Sequence, residues 1–262
     1  MEYWIGGEKP PHLLNEPPRG ALTPGQVHVW WLELPRDEET FTVEQFAAFT
    51  SEAERQRAVR FYFPADRWAY LSAQSLLRWA LANRLGCEPR ELQFRRNAYG
   101  RPFLETPVSN LFFSLTHSRN MVACAIALEI AVGIDVENPE RQIHVDQLAR
   151  SYFAPNEVAH LSTLPSLVRT RDFFIQWTLK EAFLKAIGMG LHAPISTLSI
   201  IPEARTLRVN FTHPFPDSVA GWGFAALTQL HGHHLALAIR SEVPQITIRL
   251  TLAPCFWANK SL

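Results

Sequence analysis

Gly133-Ile134-Asp135-Val136-Glu137 and Trp177-Thr178-Leu179-Lys180-Glu181-Ala182-Phe183-Leu184-Lys185 decide how this chain reads. The first stretch closes an apolar, β-rich run. In a strand, residues i and i+2 share a face, so Asp135 and Glu137 aim at one spot. The second stretch has helical spacing. Glu181 and Lys185 are four apart and lie on one face, about 5–6 Å from each other at Cβ. Three converging acids and a lysine suit a hard divalent cation and a phosphate, because Mg²⁺ is held by one or two carboxylates plus phosphate oxygens. Taken alone, Asp135 and Glu137 also fit a solvated strand end before the Asn138-Pro139 turn. Glu181 and Lys185 also fit an exposed helix pair worth about 0.2–0.5 kcal/mol. That pair does not account for Trp177, Phe183 and Leu184, which read as core that holds the helix rigid.

Around these stretches the chain mixes helix and strand signals. The first two dozen residues hold Pro10, Pro11, Pro17, Pro18 and Pro24 and read as an irregular arm, 1–26. A strand is expected at 27–34. Thr42 with Gln45, and Ser51 with Glu54, have capping-box spacing, the first flanked by Phe41 and Phe46 as a hydrophobic staple. The second starts a helix running to about Tyr62. Pro64 opens a further helix that Gly86 closes. Short β segments at 92–96, 102–104 and 111–115 surround a Tyr99-Gly100 turn. The runs 121–128 and 130–136 read as two adjacent buried strands joined at Glu129. Helices are expected at 155–161 and 166–187, then strands at 198–201, 207–211, 221–230, 234–239 and 246–252. His231-Gly232-His233-His234 has no cysteine or acid at ligand spacing and reads as a hairpin turn rather than a transition-metal site.

The 262 residues suffice for one large domain or two small ones, and a 47% hydrophobic, 19% charged composition supports a substantial core. Lysine plus arginine equals aspartate plus glutamate, 25 each, so no global basic field for nucleic acid exists. Cys87, Cys124 and Cys255 are scattered, without metal spacing and odd in number, which fits a reducing cytoplasm. Cys124 reads as a small core residue. Met1-Glu2-Tyr3-Trp4-Ile5 lacks the basic and apolar regions of a signal peptide. The longest mostly apolar stretch, 121–134, contains Glu129 and is too short to span a bilayer.

The two opening stretches resemble motifs of the 4′-phosphopantetheinyl transferases, of the larger type that activates surfactin synthetase. That family shows a G-I-D-x-E strand end, then W-x-x-K-E-x-x-x-K followed by two glycines, here Gly188 and Gly190. Asn97-Ala98-Tyr99-Gly100-Arg101-Pro102 resembles its Gly-Lys-Pro turn. Phe113-Ser114-Leu115-Thr116-His117-Ser118 resembles its F-x-x-S-H-S segment, and Arg60-Phe61-Tyr62 with Asp66 its R-F-Y stretch. The matches keep family order from about Val27 to about Arg240.

The resemblance implies an α+β fold of two similar halves related by a pseudo-twofold axis. Each half would be a small, mainly antiparallel sheet packed on helices, with the active site between them. The halves are expected at 27–118, carrying coenzyme A contacts, and 119–262, carrying metal and catalytic residues, joined near Arg119. The implied reaction is Mg²⁺-dependent transfer of phosphopantetheine from coenzyme A to a serine of an apo acyl or peptidyl carrier protein, releasing 3′,5′-adenosine bisphosphate. Asp135, Glu137 and Glu181 would hold Mg²⁺, with Mn²⁺ a substitute. Glu181 doubles as general base, Lys185 contacts the pyrophosphate and Lys180 binds phosphate from the neighbouring turn. His117 reaches the 3′-phosphate region, and Thr116 keeps the hydroxyl of the family's serine. Arg57 and Arg60, at i and i+3, offer that phosphate a basic face, and Arg101 stands beside adenine in place of lysine. Ala69 and Met189 replace residues that are often basic, with Arg67 or Arg78 as possible substitutes for the first. The two-half type implies a cytoplasmic monomer without nucleic-acid or membrane partners. A non-catalytic relative and an unrelated metal-dependent phosphohydrolase are the competing readings, and the carrier served stays open.

Overall fold

Alternation along one strand sets the layers. In the computed structural model, which describes residues 2–7, 11–14, 21–35, 41–118, 120–190, 193–211, 219–240, 242 and 245–254, strand β8 spans Ala131–Glu137. Its Val132, Ile134 and Val136 join one buried apolar cluster, while Gly133, Asp135 and Glu137 face the other way.

Two sheets carry the fold. One orders β8, β12 (His233–Arg240), β11 (Trp222–Leu230), β1 (Glu2–Gly6), β10 (Thr206–Phe211) and β9 (Leu198–Glu203). The other orders β2 (His12–Leu14), β13 (Thr247–Leu252), β3 (Gln26–Glu33), β7 (Met121–Leu128) and β6 (Leu111–Ser118). Neighbours are antiparallel except β1–β10, β13–β2 and β13–β3. A hairpin of β4 (Gln93–Arg96) and β5 (Pro102–Thr106) stands apart. The sheets face each other through Val27, Val29, Ala123, Ala125, Ile134, Leu235 and Leu237, among others. Helix α2 (Pro64–Leu85) covers the outer face of the second sheet through Leu71, Leu76 and Leu81. Helix α5 (Ser166–Ile187) covers the first through Leu179, Ala182, Phe183 and Ala186. The result is helix, sheet, sheet, helix. Shorter α1 (Glu52–Ala58), α3 (Val145–Tyr152) and α4 (Pro155–Ser162) fill the flanks.

The end signals act as their chemistry dictates. Ser51 caps α1, its hydroxyl accepting from the Glu54 N–H while the Glu54 carboxylate accepts from the Ser51 N–H at 2.8 Å. Gly86 and Gly188 close α2 and α5 in the left-handed conformation that glycine adopts without steric cost. His231-Gly232 is the two-residue turn between β11 and β12.

Three expectations need correction. The helix from Ser51 ends at Ala58, short of Tyr62. Residues 1–26 are not wholly irregular, because β1 pairs with β11 and β10 in the α5-side sheet and β2 edges the other. The runs 121–128 and 130–136 are not neighbours in one sheet. Glu129, at φ 60°, turns the chain from β7 in one sheet to β8 in the other. Arg119, the expected join, lies outside the described residues, and the chain changes sheet about ten positions later.

Close approach of α5 to β8 rests on Gly133. A Cβ there would lie 1.8 Å from the Ala182 carbonyl oxygen and 2.6 Å from the Ala186 nitrogen, both helix backbone atoms that cannot swing aside. Ala236 and Ala238 keep the adjoining β12 surface equally low. Gly133→Ala is expected to lower unfolding free energy by at least about 2 kcal/mol in denaturant titrations, since overpacking a close-packed contact forces a backbone shift. Wild-type stability in that variant would contradict the contact.

Candidate active site

Asp135 sits where β8, β6 and α5 meet. It is 6% exposed. Its Oδ1 accepts from the Lys185 ammonium at 2.7 Å and from the Thr116 hydroxyl at 3.0 Å. Its Oδ2 is buried and has no protein partner. Thr116 belongs to β6, the edge of one sheet, and Asp135 to β8, the edge of the other. The Thr116 and Ser114 hydroxyls also accept the Val136 and Ile134 N–H groups at 3.2 and 3.1 Å. Side-chain oxygens thus stitch the two edges where no strand ladder exists.

Glu137 follows on the same face of β8 and accepts from the Trp177 indole N–H on α5. Burial, then the nearby Asp135 charge, pushes its pKa from the usual carboxylate range up to about 7. Glu181 lies one helical turn before Lys185. Burial and Asp135 raise its pKa as well, and Lys185 opposes the rise. Asp135 lies within electrostatic reach of both Glu137 and Glu181, with Lys185 near all three. Among the described residues they do not form a ready-made metal-binding group. The donor set still fits a hard cation: all ligands are carboxylate oxygens, and Asp135 Oδ2 is a buried acceptor without a donor.

His117 follows Thr116 on β6 and points to the opposite face, toward α2. Surrounding protein, then Lys185, lowers its pKa, while Asp66 and Asp135 pull it upward. His117 therefore lies within electrostatic reach of both the carboxylate cluster and the first turn of α2. Arg57 and Arg60 are exposed at the end of α1, the Arg57 guanidinium standing 5.4 Å from the Tyr70 ring centroid.

Lys180 does not reach the cleft, which corrects its expected phosphate contact. It is fully buried and paired with Glu157 at 2.9 Å. Thr116 has one proton, and Asp135 takes it, so no donor remains for a phosphate. Arg101 is also engaged elsewhere. Its guanidinium donates to the Ala186 carbonyl at 2.7 Å, and Asn97 Nδ2 donates to the Gly188 carbonyl at 2.9 Å. The 97–101 turn thus caps the C-terminus of α5 instead of presenting a free cation.

Two matches adjoin along the chain. Residues 131–238 match the 4′-phosphopantetheinyl transferase superfamily, and residues 36–129 match the 4′-phosphopantetheinyl transferase N-terminal family. The chain is 36% identical over 180 residues to the 4′-phosphopantetheinyl transferase HetI of Nostoc sp., covering 68% of this chain and 75% of the relative.

The chain belongs to the 4′-phosphopantetheinyl transferase superfamily.

Two further relatives are the 4′-phosphopantetheinyl transferase gsp of Aneurinibacillus migulanus and Sfp of Bacillus subtilis. Gsp is 29% identical, with 66% of this chain and 71% of the relative covered; Sfp is 27% identical, with 60% and 68% covered. These are transferases of the larger type. The boundary between the two matches falls at the turn from β7 to β8, where the chain changes sheet.

Within this transferase, the departures from the family pattern have packing reasons. Ala69 is buried against the α2 core, and Met189 packs on the α5 cluster. Arg78 does not compensate for Ala69, because it is 3% exposed and bound to Glu54 and the Pro89 and Leu92 carbonyls. Arg67 is partly buried, and its guanidinium donates to the Phe61 carbonyl at 3.4 Å. Sequence reasoning missed Glu157 and the indole role of Trp177. Glu157 carried a signal, since an acid three positions after a helix cap reaches back to the cap N–H, as it does to Ala154 at 2.7 Å.

The raised pKa of Glu137 makes stability pH-dependent. Between about pH 4.5 and 7 the folded protein keeps a proton at Glu137 that the unfolded chain has released, so stability falls as pH rises through that window. In chelator, Glu137→Gln should therefore gain on wild type by about 1–2 kcal/mol between pH 5 and 8, read by denaturant titration. Parallel pH profiles would contradict the assignment.

Proposed function

We propose that this 4′-phosphopantetheinyl transferase works as a Mg²⁺-dependent, cytoplasmic monomer whose carboxylates Asp135, Glu137 and Glu181 hold the ion. The chain transfers 4′-phosphopantetheine from coenzyme A to a carrier protein. The observation that carries the assignment of residues is the convergence of these three acids and Lys185 across the Gly133 contact between β8 and α5. Two 22-residue helices, each closed by a left-handed glycine and each covering one sheet, support a pseudo-twofold relation between the halves.

The reaction is attack of a carrier serine oxygen on the pyrophosphate phosphorus that bears pantetheine. The P–O bond to 3′,5′-adenosine bisphosphate breaks, and the serine proton must leave. Asp135, Glu137 and Glu181 would hold Mg²⁺, which would supply positive charge against the pyrophosphate. Glu181, one helical turn from Lys185 on α5, accepts the serine proton. Lys185, partly exposed and on the Asp135 side of the cleft, pairs with the departing phosphate oxygens. Trp177 and Thr116 orient Glu137 and Asp135 by their N–H and O–H groups. His117, with Arg57 and Arg60, receives the 3′-phosphate of coenzyme A. The carrier is an apo acyl or peptidyl carrier domain, and neither nucleic acid nor membrane is a partner.

Glu181→Gln keeps shape and removes basicity. Intact-mass measurement of an apo carrier with coenzyme A and Mg²⁺ should show one phosphopantetheine gained with wild type. The variant should lose at least about 10²-fold in kcat. Near-normal turnover would contradict the role given to Glu181.

The 3′-phosphate assignment has its own test. Arg60→Ala with His117→Ala should raise KM for coenzyme A more than it lowers kcat, because the contact is remote from the broken bond. It should also flatten the preference for coenzyme A over dephospho-coenzyme A. An intact preference would place that phosphate elsewhere.

A further inference from the structure

The Lys180–Glu157 pair lies wholly inside the protein, one residue from Glu181. We propose that it is a positioning device, setting the rotation and register of α5 and so holding Glu181 and Lys185 against β8. Lys180 is here a positioning residue and not a phosphate ligand.

An ammonium has three protons, and all three are placed. Glu157 Oε2 lies at 2.9 Å and the Ile195 carbonyl at 3.1 Å, and the Leu198 carbonyl takes the third. The Phe153 ring lies 5.2 Å away and closes that side. Glu157 is equally engaged. Its two oxygens accept from the Ala154 N–H at 2.7 Å and the Ile200 N–H at 2.8 Å. Burial pushes the Glu157 pKa up and the Lys180 pKa down, and the attraction between the two opposes both shifts. One pair thus ties the middle of α5 to the first turn of α4 and the start of β9.

Other directed contacts reach α5 from His160 at Asp172, from Glu137 at Trp177, from Asp135 at Lys185 and from Arg101 at the Ala186 carbonyl, but among the described residues only the Lys180–Glu157 pair is wholly buried on the α4 and β9 side. Phe173, Ile175, Leu179, Ala182 and Phe183 bury apolar surface, which is non-directional. The strand residues closest to the helix backbone, Gly133, Ala236 and Ala238, are small, and the large facing residues Trp222 and Phe224 meet α5 through the Phe183 ring. Directed bonds from a carboxylate and two carbonyls select one azimuth. Successive residues are about 100° apart around a helix, so turning Lys180 toward α4 and β9 turns Glu181 toward β8. Buried polar pairs act as register devices of this kind in other helical assemblies.

The inference rests on the reading of Glu181 as the proton acceptor. Lys180→Met alone strands a buried carboxylate and is expected to fold poorly. The informative variant is Lys180→Met with Glu157→Gln, which removes both charges and keeps one of the two acceptor oxygens that the Ala154 and Ile200 N–H groups use. It should melt within about 5 °C of wild type. Its KM for coenzyme A should stay within about threefold, and its kcat should fall about 10–100-fold. Glu157→Asp, which keeps the charge but draws it back by one methylene, should lose at least about fivefold in kcat at unchanged KM. Wild-type kcat in a folded double variant, or in Glu157→Asp should the double not fold, overturns the proposal. A raised KM with unchanged kcat overturns it too, because Lys180 would then act on coenzyme A. Glu181→Gln is assayed alongside. If it is fully active, the reading of Glu181 fails; if it is inactive while the double variant is fully active, only the positioning role fails.

Discussion

The rest of this structure depends on one constraint, that helix α5 touches strand β8 backbone to backbone. Only a residue without a Cβ leaves room at position 133 for the Ala182 carbonyl. The consequence is chemical. Asp135 and Glu137 leave the strand on the helix side, two and four residues after the contact. Glu181 and Lys185 each stand one residue before Ala182 and Ala186, so both leave the helix on the same side of that contact. A larger gap would separate the carboxylates by solvent, and their mutual effect on pKa would fade. Close approach instead keeps Glu137 near neutrality and raises Glu181.

Each neighbour of that contact then has a role in holding it. Small alanines on β12 continue the low surface under the helix. The Arg101 guanidinium and Asn97 amide occupy carbonyls at the helix's C-terminal end. The Lys180–Glu157 pair occupies the far side. Hydroxyls of Ser114 and Thr116 join β6 to β8, so the second sheet is tied to the strand that carries the acids. The cleft therefore draws residues from both layers of strands, with His117 and the first turn of α2 on one side and α5 on the other.

Much of this was legible in the letters, and what was not has physical reasons. The period-two pair Asp135 and Glu137 and the four-residue step Glu181 to Lys185 are local rules, and the side chains they name lie near one another at the α5–β8 contact. Caps at Ser51, Gly86 and Gly188 were readable for the same reason, as was the His231-Gly232 turn. Sheet membership was not. β7 and β8 are both apolar throughout, and periodicity cannot tell strands that share a ladder from strands that face each other across a core. β1 is five residues whose partners lie about 200 positions away. Lys180 and Arg101 misled because a cation's partner is set by tertiary packing. Glu157 stands 23 positions before Lys180, and the Ala186 carbonyl that holds Arg101 lies on a helix 85 positions later.

The most direct test of the account is where a cation binds. Crystals grown with Mn²⁺ and coenzyme A, with anomalous scattering measured for the metal, would locate it without reference to activity. The account predicts one manganese within about 2.0–2.3 Å of oxygens of Asp135, Glu137 and Glu181, with the pyrophosphate completing its shell. A manganese held by other residues, or a pyrophosphate bound at this cleft with no metal between it and Asp135, would contradict it.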